Sequence, residues 1–255
     1  MCIRDSGVGI ARMEDRYFQT NIIDFSETKH DKSTYSIFGG SIVLEGSTLN
    51  ARQFATQGSR EKMAAQIFTG TEHFRSGASK VTKDTPEPYK KVQSWLQVSY
   101  QNETYHKVSP KFTLGAYLEA YYSSRNFSNN YTATLMQAGE FTPTAHSKVT
   151  YNEAFRANQY AGVGAMPIYQ LSESFQLRGE FYGFVPIFPI KKDEYGQAYY
   201  GKAFTKFEYL GEISLVFQLS FGSISAYVNH YSSPSNDWNV GLTLGWQLFN
   251  SRFIE

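Results

Sequence analysis

Phe207-Glu208-Tyr209-Leu210-Gly211-Glu212-Ile213-Ser214-Leu215-Val216-Phe217-Gln218-Leu219-Ser220-Phe221 reads with a period of two. Phe207, Tyr209, Ile213, Leu215, Phe217, Leu219 and Phe221 fall on one side, and Glu208, Glu212, Ser214, Gln218 and Ser220 on the other. Successive side chains of a strand point to opposite faces, so this stretch predicts one long β-strand. Ordinary strands run about 5–6 residues. A run of this length suits a tilted strand that crosses a bilayer and protrudes from it. Gly222-Ser223 follows and is expected to form a two-residue type II′ hairpin loop, which would pair Phe221 with Ile224. Beyond it Ile224, Ala226 and Val228 continue the apolar face, with Ser225, Tyr227 and Asn229 opposite. The last strand sets Trp238, Val240, Leu242, Leu244, Trp246 and Leu248 against Asn239, Gly241, Thr243, Gly245 and Gln247. The first set carries no charge, and Trp238 and Trp246 near its ends are predicted to be a lipid-facing aromatic belt.

Working toward the N-terminus, 175–185 and 112–122 alternate in the same way. Weaker strands are expected at about 158–171, 92–104, 61–74, 34–46 and 15–25, about ten in all. Turns at 222–223, 172–174 and 108–110 are short, whereas polar loops at roughly 186–203, 124–155 and 75–90 are long. Short connections on one side and long ones on the other mark outer-membrane barrels. The expected fold is all-β: an antiparallel transmembrane β-barrel, present in part.

Composition narrows the function classes. The 255 residues carry a formal net charge of +1, so no basic face for nucleic acid is expected. Aromatics at 16% exclude a disordered chain. The most apolar stretch, 181–190, is far short of a membrane helix and is broken by Pro186 and Pro189. Alternating strands average to a hydrophilic value, and the mean hydropathy is −0.42. Cys2 is the only cysteine, which leaves no internal disulfide and no Cys-based zinc site. His30, His73, His106, His146 and His230 show no metal-ligand spacing. No G-x-S-x-G serine turn occurs. Gly162-Val163-Gly164 lacks the third glycine of a dinucleotide loop and is expected to ease crowding in a curved wall. No catalytic residue, metal or cofactor is expected. Lys111, Glu119, Arg178, Glu180, Glu208 and Glu212 are expected to face the lumen, either as a solvated wall or as a charge-paired network.

Met1-Cys2-Ile3-Arg4-Asp5-Ser6 resembles a translated sequencing-library adaptor, ATGTGTATAAGAGACAG. Residues 1–6 are therefore expected to be an artefact, and 7–255 a C-terminal barrel domain incomplete at its N-terminus. Leu49-Asn50-Ala51-Arg52-Gln53-Phe54-Ala55-Thr56-Gln57-Gly58-Ser59-Arg60 resembles the periplasmic turn of Omp85-superfamily barrels. Ala55 replaces the usual Pro, and Gly58 is kept, where a positive φ is its expected use. Asn152-Glu153-Ala154-Phe155-Arg156-Ala157-Asn158-Gln159-Tyr160, Ala198-Tyr199-Tyr200-Gly201-Lys202 and the ending from Gly245 to Glu255 resemble the C-terminal barrel of Bacteroidetes-type patatin-like phospholipases.

That resemblance implies a barrel of about 16 strands in the outer membrane. It also implies a serine lipid acyl hydrolase domain and POTRA-like linker upstream of Gly7. The barrel would anchor or export the hydrolase. The alternative is an Omp85-type assembly or translocation barrel without hydrolase activity. In the wider superfamily a long loop lodges an Arg-Gly-aromatic motif in the lumen. Arg156 stands at the matching place, with Ala157 for the Gly and the aromatic delayed to Tyr160, and it joins the lumen set. Outer-membrane lipid, the barrel-assembly machinery and, as one option, a homodimer are the expected partners.

Overall fold

The computed structural model describes residues 2–18, 30–77, 89–233 and 238–246. In chain order the strands are β1 (Cys2–Tyr17), β2 (Asp31–Ser47), β3 (Gly58–Arg75), β4 (Tyr89–Lys107) and β5 (Phe112–Ser123). Helix α1 (Tyr131–Gln137) comes next. Then follow β6 (Gly139–Glu140), β7 (Arg156–Ala157), β8 (Gln159–Gln170), β9 (Phe175–Pro186), β10 (Ile190–Lys192), β11 (Ala198–Tyr200), β12 (Glu208–Leu219), β13 (Gly222–Tyr231) and β14 (Trp238–Trp246). Ten of these form one antiparallel sheet in the order β1-β2-β3-β4-β5-β8-β9-β12-β13-β14. The pairs β6–β7 and β10–β11 are separate ribbons within the long connections. The sheet does not close on itself: β1 and β14 are its two edges.

The strands of the large sheet turn an apolar side outward. On β12, Tyr209, Ile213 and Leu215 are exposed, while Glu208, Leu210, Glu212, Ser214 and Val216 are buried on the concave side. On β14, Trp238, Val240, Leu242 and Leu244 are exposed. Val163 on β8, Phe181 on β9, and Ile42 and Ile67 on β2 and β3 continue that convex face. The core therefore sits inside the curve of the sheet. It is aromatic: Tyr105, Tyr117, Tyr160, Tyr182, Phe184 and Tyr231 from the strands meet Phe141 and Phe155 from the 124–158 connection. Tyr rings suit such a place because each phenol can donate to a buried carboxylate. Tyr160 donates to Glu119 at 2.6 Å and Tyr182 to Glu180 at 2.9 Å.

Several expectations shift. The β12–β13 hairpin turns at Ser220-Phe221, with Leu219 opposite Gly222 and Phe217 opposite Ile224. The slip is even, so every side chain keeps its face. Gly222 does not adopt positive φ. Ser223 is held in the strand because its hydroxyl donates to Gln53 Oε1 at 2.9 Å, and Gln218 opposite it reaches the same loop. The first strand is β1 rather than 15–25, of which 19–25 lies outside the described residues. Cys2 to Ser6 belong to β1, paired with Gly46 to Ile42. Lys111 is exposed in the β4–β5 turn and faces no lumen, because the chain reverses there. Trp246 pairs with Gly222 through its backbone, its side chain lying outside the description, and Gln247 to Glu255 are likewise undescribed.

Candidate functional site

Among the described residues, the connections 124–158 and 48–57 fold into the concave side, from opposite ends of the strands. The first is 124–158, from the end that carries the long loops. Asn130 caps α1, its side-chain oxygen accepting from the Ala133 amide at 2.8 Å, and its amide donates to the Tyr17 hydroxyl at 2.9 Å. One short polar side chain thus starts the helix and ties it to β1. Gln137, at the other end of α1, donates to Asp15 at 2.6 Å. Arg125 lies over the Trp95 ring at 4.5 Å and the Tyr35 ring at 5.2 Å, and donates to Gln137 at 2.7 Å. Burial lowers the pKa of this guanidinium, and the Tyr35 and Glu72 side chains beside it work against that.

The same segment crosses to the far wall. Phe141 stacks on Phe184 at 5.5 Å between ring centroids. It rests on Gly162, where a Cβ would lie 2.1 Å from the ring. Gly162 thus makes room for the segment, a sharper role than easing curvature. His146 Nδ1 lies 2.6 Å from Glu212, and its ring stacks on Tyr227 at 3.6 Å. Asn152 donates to the Ser233 carbonyl at 2.9 Å. Half-exposed Tyr151 lies under the Arg156 guanidinium, and its phenol is pushed up to about 12 by burial first and by Glu153 second. At the mouth, Tyr131, Glu153, Arg156, Pro189 and Lys206 line a polar cavity of about 170 Å³.

The second element is the β2–β3 turn, 48–57. Asn50 organises it by accepting from the Thr56 and Gln57 amides at 3.0 and 3.1 Å. Gly58 closes it at φ 93°, and a Cβ there would fall 2.2 Å from the Thr48 carbonyl oxygen. Gln176 and Gln218 donate to the Phe54 carbonyl, and Arg178 donates to the Ala55 carbonyl at 2.9 Å.

Of the expected lumen residues, Glu119, Arg156, Arg178, Glu180, Glu208 and Glu212 lie on the concave side or at its mouth and Lys111 does not, and they form separate pairs. Arg178 bonds Glu180 at 3.1 Å and Gln176 at 3.2 Å. Glu212 stands opposite Glu180 in the register yet takes His146 and Asn229. Glu208 takes Lys206 at 3.3 Å and the Ser232 hydroxyl. Arg156 binds Glu140 at 2.7 Å and the Leu135 and Met136 carbonyls, so its polar partners lie within its own segment. Arg125 and His146, which the sequence did not single out, are the groups that reach the walls. Nothing in a local pattern marks them, since the rings they meet are 30 to 90 positions away and Glu212 is 66 positions from His146. The arrangement holds charge in paired form inside an aromatic filling. Among the described residues it brings together no cluster fit for a metal. No protein-family model matches this chain, and no curated protein and no solved structure does so either.

Proposed function

We propose that this chain is wall of an outer-membrane β-barrel, part of about 16 strands, in a Gram-negative bacterium. One observation carries the reading: the sheet exposes apolar side chains along its convex face and buries Arg178, Glu180, Glu208 and Glu212 on its concave face. Water favours the opposite arrangement, whereas lipid outside and a polar lumen favour this one. The lengths agree: β5, β8, β9 and β12 have 12 residues each, close to the 9–11 or so that a tilted strand needs. The test is partition. Refolding is expected to need detergent, with the chain entering the detergent-rich phase. A chain that stays monodisperse in plain buffer contradicts the membrane reading.

The finer proposal is that the barrel anchors or exports a patatin-like phospholipase domain. Its support is the series of resemblances at 152–160, 198–202 and 245–255. Coding DNA read upstream of Gly7 tests it. A domain with a G-x-S-x-G serine is expected there, and POTRA repeats alone would assign an assembly or translocation barrel instead.

A further inference from the structure

We infer that the 48–57 turn is a movable lid over the short-turn end of the concavity, latched by Arg178. This rests on reading the concavity as a lumen. The turn is built as a unit. Asn50 fastens it internally, Thr48 and Ser59 bond each other at its neck, and Gly58 supplies the positive φ where it joins β3. It then crosses the inside of the sheet to strands far from its own. Gln176 and Arg178 of β9, Gln218 of β12 and Ser223 of β13 all donate to it.

The two inward elements are held by different forces. The 124–158 segment buries Phe141, Phe155 and Leu135, so withdrawing it exposes large apolar surface. The turn contributes only Ala55 to the aromatic core, with Leu49 packed at its edge. The rest of its attachment is made by polar side chains, to the Gln53, Phe54 and Ala55 carbonyls, the Gln53 side chain and the face of the Phe54 ring, and water can replace the neutral bonds among these at small net cost. Phe54 also sits at φ 53°, a region unfavourable to a residue with a bulky side chain. Backbone strain of that kind persists where the surroundings enforce it and is common in switching segments. Arg178 is the strongest single tie: its guanidinium spans the Ala55 carbonyl, Glu180 and Gln176 and faces the Phe54 ring. On the face that holds the turn, the hydroxyls of Ser214, opposite Arg178 in the register, and of Ser225, two positions from Ser223, are buried with no hydrogen-bond partner among the described residues. Unpaired buried hydroxyls gain from water, so hydration of this face favours the open lid. The lid would admit water and small polar solutes from the short-turn side while 124–158 still fills the other end.

Thiol labelling tests this. In a Cys2→Ser background, single cysteines replace Ala55 in the turn, Ser214 on the wall and Ala133 in α1, which are 4%, 1% and 0% exposed. Maleimide rates are measured in detergent micelles, so they stand whether or not the chain partitions into lipid. Arg178→Lys keeps the charge and loses the fork. It is expected to speed labelling at positions 55 and 214 about tenfold, the scale of one lost charge-assisted bond, and to leave position 133 unchanged. Equal rates with and without the substitution overturn the lid. So does a rise at all three positions together, which would make the turn an inseparable part of the core. If Arg178→Lys does not fold, Gln218→Leu removes two donated bonds to the turn and is read by the same criteria.

Discussion

Arg178 and Leu242 belong to the two faces of one sheet, and their surroundings are the reverse of those in a water-soluble domain. The arginine is 2% exposed on the concave face, and the leucine is 81% exposed on the convex face. The concave face itself divides. Along β5 to β13 it is covered by aromatic rings and by the two inward connections. Along the short-turn half of β2 to β4, Ser41, Glu45, Lys62, Gln66, Gln101 and Glu103 remain partly exposed, with Arg60 bridging Glu45 and Glu103 at 2.8 and 3.7 Å. The strand pattern is the same in both halves. Alternation therefore assigns a face, while burial on that face depends on what the connections place over it.

Substitutions sharpen this contrast. Phe184→Ala, in the filled half, is expected to cost about 3–5 kcal/mol in detergent unfolding, as a cavity among packed rings. Val43→Ala, on the same face in the open half, is expected to cost under about 1 kcal/mol. Comparable losses would remove the distinction. The two faces separate next. Leu242→Arg is expected to cost roughly 2–4 kcal/mol in lipid, and Thr243→Arg, on the other face of β14, much less. Equal costs would contradict the assignment of faces. His146→Ala leaves Glu212 buried with Asn229 as its remaining partner and is expected to cost about 1–3 kcal/mol. Glu45→Ala, beside half-exposed Arg60, is expected to cost about 0–1 kcal/mol. Gly162→Ala pushes against the Phe141 ring and is expected to cost about 1–3 kcal/mol, whereas Gly9→Ala meets open space and should be near neutral. The smallest effect is at Tyr151. Its raised pKa means that the folded state favours the neutral phenol. The contribution is complete below about pH 10 and is lost as pH rises through about 12. A difference titration of phenolate absorbance against Tyr151→Phe should show that late step.

The faces of β12, β13 and β14 were legible because alternation is a local property of the chain. The same parity holds although the turn lies elsewhere than expected, since the displacement of the β12–β13 hairpin is even. What decided the turn was not local: Ser223 and Gln218 are held by a loop some 165 to 170 positions earlier. Gly58 was legible because positive φ leaves a residue-type signature. Arg178, Glu180, Glu208 and Glu212 could be assigned to a face, and the bonds of Arg178 to Gln176 and Glu180 run along that face of β9, but Ala55 and His146 are brought to them by the inward folding of 48–57 and 124–158. Arg156 stands where the sequence resembles the superfamily's loop motif, yet its polar bonds stay within its segment, whereas Arg125 and His146 have no sequence signature at all.

Under the proposed membrane reading, the convex face contacts acyl chains while the concave face is shielded from them. Trp238 and Trp95 sit on opposite sides, one exposed and one buried. Chains retaining only one of them, with the other tryptophans changed to Phe, would be refolded in micelles of a detergent brominated along its tail. Strong quenching of Trp238 fluorescence with Trp95 protected is the predicted result. Equal quenching of the two, or a Trp238 that bromine does not reach, would contradict it.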